Sequence, residues 1–136
     1  MKVMSVDLGR ARTGIAVSDN TGTLASSLCV IEERVDERLV EKIVSLANAE
    51  KAELIVVGLP KNMDGSEGES AIRARALAGE ITQRSSIPTH MQDERGTTVT
   101  AHQFLSSAEV YGKKRKKRVD AVAASIILQN YLDSQK

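Results

Sequence analysis

The stretch KVMSVDLGRARTGIAVS, residues 2–18, decides the fold. Lys2–Asp7 alternates apolar and polar residues, the period of a half-buried strand. Thr13–Ser18 reads as a second strand, after a Gly- and Arg-rich connection. Asn20-Thr21-Gly22 supplies turn chemistry, and Leu24–Ile31 makes a third strand. Three short strands in succession predict an antiparallel meander. Asp7 ends the first of them, where side chains emerge from a sheet edge, and Gly9 lets another backbone approach closely.

Beyond Ile31 the period changes. Leu39, Val40, Ile43, Leu46 and Ala47 recur at helical spacing, with Asp36 as the expected N-cap. Leu54-Ile55-Val56-Val57 is wholly apolar, as in a strand covered on both faces, and Gly58-Leu59-Pro60 is expected to end it. Asp64-Gly65 marks a turn within the loop 61–68. A second helix follows through Ala71, Ile72, Ala74, Ala78 and Ile81, then a short strand over Thr89–Gln92. A third helix is expected through Val99, Ala101, Phe104, Leu105 and Ala108, and a final one over Val119–Leu132, apolar almost all round and so buried. The order βββ-α-β-α-β-α-α predicts an α/β domain over residues 1–136. Its five-stranded mixed sheet combines an antiparallel meander with two parallel strands, and helices cover both faces.

Composition limits the function. A chain of 136 residues can bury roughly two-thirds of its unfolded surface without disulfides or a structural metal. The net charge of +1 hides an asymmetry: Lys113, Lys114, Arg115, Lys116, Lys117 and Arg118 are six consecutive cations. The other 13 Lys and Arg stand against 18 Asp and Glu, so the remainder carries about −5. A polyanion would meet the protein at that basic segment. One cysteine, Cys29, excludes an internal disulfide, and it reads as core within Leu28-Cys29-Val30-Ile31. His90 and His102 are too few for a conventional zinc site. No apolar run approaches the ~20 residues of a membrane span, and the first residues lack a signal-peptide pattern, so the cytoplasm is the expected compartment.

Three acids fall at element ends. Asp7 reads either as a metal ligand or as an Asx-turn closing its strand. Asp93-Glu94 follows the fifth strand, and only one of two successive strand residues can face a given site. Alternatively, acids there favour the dipole of a following helix. Asp120 reads as a third acid or as a plain N-cap of the last helix. Carboxylates converging from separate elements suit hard divalent cations such as Mg²⁺. Two such ions about 4 Å apart can activate water and stabilise the leaving oxygen of a phosphodiester.

Four motifs resemble those of the YqgF/RuvX family. They are Asp7-Leu8-Gly9 with Gly14-Ile15-Ala16-Val17-Ser18-Asp19; Val57-Gly58-Leu59-Pro60-Lys61-Asn62-Met63-Asp64-Gly65; Asp93-Glu94-Arg95 with Thr97-Thr98; and Lys116-Lys117-Arg118-Val119-Asp120 with Ala123-Ala124 and Ile126-Ile127-Leu128. They run in order over essentially the whole chain. Gly96 departs from the pattern, standing where the family commonly carries a bulky apolar residue, which loosens the expected placement of Glu94. The resemblance implies an RNase H-like fold and a nuclease acting in 5′-end maturation of pre-16S rRNA. It also implies kinship with Holliday-junction resolvases. Transferred by position, the catalytic and metal-binding acids (for Mg²⁺ or Mn²⁺) are Asp7, Glu94 and Asp120, with Asp93 in reserve.

The expected substrate contacts are Arg10, Lys61, Asn62, Arg95 and the cations Lys113 to Arg118, with Asp64 on the same loop as Asn62. The aromatics Phe104, Tyr111 and Tyr131 offer no good stacking platform. The partner is thus expected to be structured pre-rRNA or branched DNA, read by shape and charge, with the protein a monomer or homodimer. Two other readings compete. An Asp-x-Gly hairpin also opens phosphotransfer ATPases of the actin and sugar-kinase type, but this chain has no length for their second lobe. A catalytically idle nucleic-acid-binding module would use the basic run alone.

Overall fold

The computed structural model describes residues 1–62, 64–93 and 112–135, and the side chains of all of these except 112–120. The strands are β1 (Val3–Leu8), β2 (Arg12–Ser18), β3 (Ala25–Glu32), β4 (Leu54–Leu59) and β5 (Thr89–Asp93). The helices are α1 (Asp36–Ala49), α2 (Glu69–Ser85) and α3 (Gly112–Ser134). One sheet runs in the order β3-β2-β1-β4-β5. The meander β1–β2–β3 is antiparallel, and β4 and β5 add on in parallel beside β1. This is the mixed sheet the sequence predicts. The C-terminal ends of β1, β4 and β5 therefore share one edge.

Strand alternation divides the core in two. Met4, Val6, Ile15, Ile55 and Val57 pack with Leu39, Val40 and Ile43 of α1 and Ala74, Leu77 and Ile81 of α2. Val3, Ala16 and Val56 pack on the other face with Ala124, Ile127, Leu128 and Leu132 of α3. Truncating a fully buried residue such as Ile15 or Ile55 to alanine would cost about 2–5 kcal/mol, because the site cannot fully collapse.

Several local expectations need correcting. Asp36 is the first helical residue of α1, not its cap; Val35 holds the cap position, and no side chain caps it. Asp36 and Glu37 instead favour the helix dipole from inside the first turn. β4 continues through Gly58 and Leu59. Cys29 is only half-buried, because β3 is an edge strand. The last helix starts at Gly112, so its backbone takes in the whole basic run. Lys and Arg are good helix formers, and no proline interrupts them. α3 buries one face, Ala123, Ala124, Ile127, Leu128 and Leu132, while Ile126 and Tyr131 remain half-buried. The expected helix through Val99 to Ala108 lies outside the described residues. Among those described, no helix is long and apolar enough to cross a membrane.

Candidate active site

Ser5 fixes which face of β1 matters. It is a polar residue inside an apolar strand, fully buried, and its Oγ donates to the carbonyl of Ala124 in α3 at 2.7 Å. Two residues further along, Asp7 shares that face by alternation. Asp7 is half-buried and sits opposite Gly14 in the β1–β2 ladder. On the other side, Val6 pairs with Val57, so the next step of the parallel register sets Asp7 beside Gly58. Gly58 in turn pairs with Gln92 of β5. The row on the α3 face is thus Gly14, Asp7, Gly58, Gln92, with strands about 4.8 Å apart. Both flanking glycines are buried, and neither places a side chain beside the half-buried carboxylate.

α3 runs antiparallel to β1. Leu132 shares a cluster with Val3, and the Ala124 carbonyl takes the Ser5 hydroxyl. The Ala121 carbonyl also accepts from Ser27 Oγ of β3 at 3.0 Å. The backbone of position 120 lies one turn before Ala124, on the same helix stripe, as Asp7 lies one alternation beyond Ser5. Position 120 sits eight residues inside α3, so Asp120 is not an N-cap.

β5 places its residues alternately on the two faces of the sheet. His90 is on the α3 side, its ring 4.9 Å from that of Tyr131. Thr89 bonds Thr82 of α2 at 2.9 Å, and Met91 packs in the α1/α2 core. Asp93 pairs with Leu59 and shares that α1/α2 side, opposite Asp7. Glu94 and Arg95 lie outside the described residues, as do the side chains of Asp120 and of Lys113 to Arg118.

The loop after β4 is tightly built. Lys61 bridges to Glu67, and Gly65 adopts φ 89°, a left-handed conformation suited to glycine. Asp64 Oδ1 accepts from the Ser66 N–H at 2.9 Å and from its hydroxyl at 2.6 Å. The Asn62 side chain donates to Ser66 Oγ at 2.9 Å, which gives it a structural task. Glu67 pairs with Arg75 at 2.7 Å, and that hydrogen-bonded guanidinium holds the Glu67 carboxyl below the usual carboxylate range. Arg10 is exposed on the β1–β2 turn at the edge carrying Asp7. Sequence reasoning missed Gly14, Gly58 and Ser5 as parts of the site. Gly14 and Gly58 left a signal as members of the quoted motifs, and Ser5 as a polar residue between Met4 and Val6.

Among the described residues no three His, Cys, Asp or Glu side chains gather at one point. Asp7 offers a half-buried oxygen donor at the sheet edge. His90, the described imidazole on that face, lies one row deeper against Tyr131. That donor chemistry fits a hard divalent cation rather than zinc.

The fold is that of RuvC-type resolvases. The structure of Thermus thermophilus RuvC is similar with a TM-score of 0.60 at 13% identity, over 99% of this chain and 96% of that one. Fowlpox virus resolvase, solved with Holliday junction DNA, is similar with a TM-score of 0.58 at 13% identity, over 99% of each chain. At such identity the likeness is one of fold. The chain itself belongs to the RuvX family, described as Holliday junction resolvase, whose family model matches residues 1–134. A relative from Thermoanaerobacter pseudethanolicus, provisionally named a pre-16S rRNA nuclease, is 39% identical over 137 aligned positions, covering 100% of this chain and 99% of its own.

Proposed function

We propose that this protein is a metal-dependent nuclease that hydrolyses phosphodiesters at the 5′ end of pre-16S rRNA, in the cytoplasm. The observation that carries this reading is the Asp7 carboxylate flanked by Gly14 and Gly58, at the edge where β1, β4 and β5 all end. Asp7, Glu94 and Asp120 would hold Mg²⁺ or Mn²⁺. The stripe shared by positions 120 and 124 supports Asp120 as the acid facing Asp7. Asp93 lies on the opposite face from Asp7, which favours Glu94 as the acid of that pair.

When bound, the cation supplies Lewis-acid stabilisation of the phosphoryl oxygens and makes water a better nucleophile. The chain's own residues do the rest. Gly14 and Gly58 flank Asp7 without side chains of their own. Ser5 ties α3 to β1 and so fixes the height of Asp120 above the sheet. Lys61, Arg10 and Arg95 orient flanking phosphates, and Lys113 to Arg118 draw the polyanion in. Arg95 alternatively braces the acids.

The family description favours a second reading, cleavage of branched DNA, in which the two-fold symmetry of a junction would call for a homodimer rather than a monomer. Side-by-side cleavage of pre-16S rRNA and a four-way DNA junction in Mg²⁺ and Mn²⁺ tests both. Cutting of the RNA at its 5′ flank, lost in Asp7→Asn, is the expected result. Preferential cutting of the junction would replace the first reading with the second, and binding without cleavage of either would leave only an idle binding module.

A further inference from the structure

Away from Asp7, a cavity of about 440 Å³ is lined by Arg10, Arg34, Asp36 and Arg73. It opens at the same sheet edge, on the α1/α2 side. Arg10 comes from the β1–β2 turn, Arg34 from the segment joining β3 to α1, and Arg73 from the second turn of α2. Chain reach alone keeps the Cα of Arg10 within about 11 Å of that of Asp7.

The cleft is built, not a chance gathering of surface charge. Arg73 donates from Nε and Nη2 to Asp36, at 3.2 and 2.7 Å to Oδ1, and from Nη1 to the Gly9 carbonyl at 2.9 Å. That fork ties the β1–β2 turn to both helices. Glu33 accepts from the backbone N–H groups of Arg34 and Val35, at 3.1 and 3.2 Å, and from Lys42 Nζ at 3.0 Å. The segment carrying Arg34 is therefore held in place. Arg10 and Arg34 themselves make no side-chain hydrogen bond or ion pair among the described residues, and both are exposed. Three guanidinium groups face a single carboxylate, so the cleft carries a net charge of about +2. Guanidinium forks match phosphate oxygens in geometry as well as charge.

We propose that this cleft is a second phosphate-binding subsite, seating a phosphate of the nucleic-acid strand as it passes over the sheet edge away from Asp7. Arg10 and Arg34 grip the phosphate, and Arg73 with Asp36 positions them. The inference rests on the nuclease reading and adds to it a path: the substrate crosses the edge from the α3 face, with its basic run, to the α1/α2 face.

The test measures binding of a structured RNA, with and without a 5′-phosphate, to the full chain carrying Asp7→Asn, over a series of salt concentrations. Adding Arg10→Gln and Arg34→Gln should flatten the slope of log affinity against log salt by about 1 to 2, the release expected for one or two lost phosphate contacts. Arg84→Gln, at the opposite end of α2, should leave the slope unchanged. Flattening confined to the 5′-phosphorylated RNA would identify the ligand as a terminal phosphate, and flattening with both RNAs as an internal one. An unchanged slope in the Arg10/Arg34 variant, or equal flattening by Arg84→Gln, overturns the subsite while the nuclease reading stands. Absence of any salt-dependent binding overturns both.

Discussion

Asp7 faces Gly14 across the β1–β2 ladder, so the half-buried carboxylate has no side chain opposite it on β2. Directly opposed strand residues have their Cβ atoms about 5 Å apart, so any substituent at 14 crowds the Asp7 carboxylate. A methyl group is the smallest intrusion. Gly14→Ala should lower cleavage on the order of 10-fold or more, since small misplacements at a reacting centre are costly. The same change should move Tm by less than about 8 °C. Steady-state cleavage beside a thermal melt checks this; full activity in the variant would mean the reaction does not depend on the placement of Asp7 against Gly14.

Ser5→Ala removes the hydroxyl that donates to Ala124 across the β1–α3 interface. The loss should be about 1 kcal/mol in urea unfolding, the typical net value of a single hydrogen bond. Cleavage should fall more than stability alone accounts for, because the bond fixes α3 at the turn before which position 120 lies. Ser5→Cys, which keeps a weak donor, should lose less of both.

Stability should fall in acid partly through Glu33. Its carboxyl is held below the usual carboxylate range by the hydrogen bond from Lys42 and then by the Val35 N–H. A group whose folded value is depressed contributes stability above its unfolded value, and that contribution disappears as pH falls through the folded one. Urea midpoints measured from about pH 6 to pH 3 should therefore drop less steeply in Glu33→Gln than in the wild type. The difference isolates Glu33, because the depressed carboxyls of Asp19 and Glu67 are common to both proteins. Parallel curves would refute the role of Glu33 in bracing the Arg34 segment.

Much of this arrangement was legible in the sequence because it rests on period. Alternation in Val3–Leu8 and the helical repeat through Leu39, Val40 and Ile43 each report one element's buried face, and Asp7 could be placed at a strand end from that alone. What depends on register was not legible. Gly14 and Gly58 become neighbours of Asp7 only once β2 and β4 are paired with β1, and Arg73 meets Gly9 and Asp36 only once α2 has docked. Asp36 was misjudged because an acid at a cap and an acid in the first turn look alike in a sequence. Asp120 was ambiguous for a related reason. The last helix was expected to start at Val119, after the six cations, yet Lys and Arg sustain a helix well, and α3 begins before them.

Metal affinity is the most direct measure of whether Asp7 organises the chemistry. Mn²⁺ binding to the full chain, followed by calorimetry for wild type and Asp7→Asn, should weaken by at least about 100-fold in the variant. Cleavage in the same buffer should fall on the order of 10³-fold while the thermal melt is retained. Equal Mn²⁺ affinity and undiminished cleavage in Asp7→Asn would contradict the account at its centre.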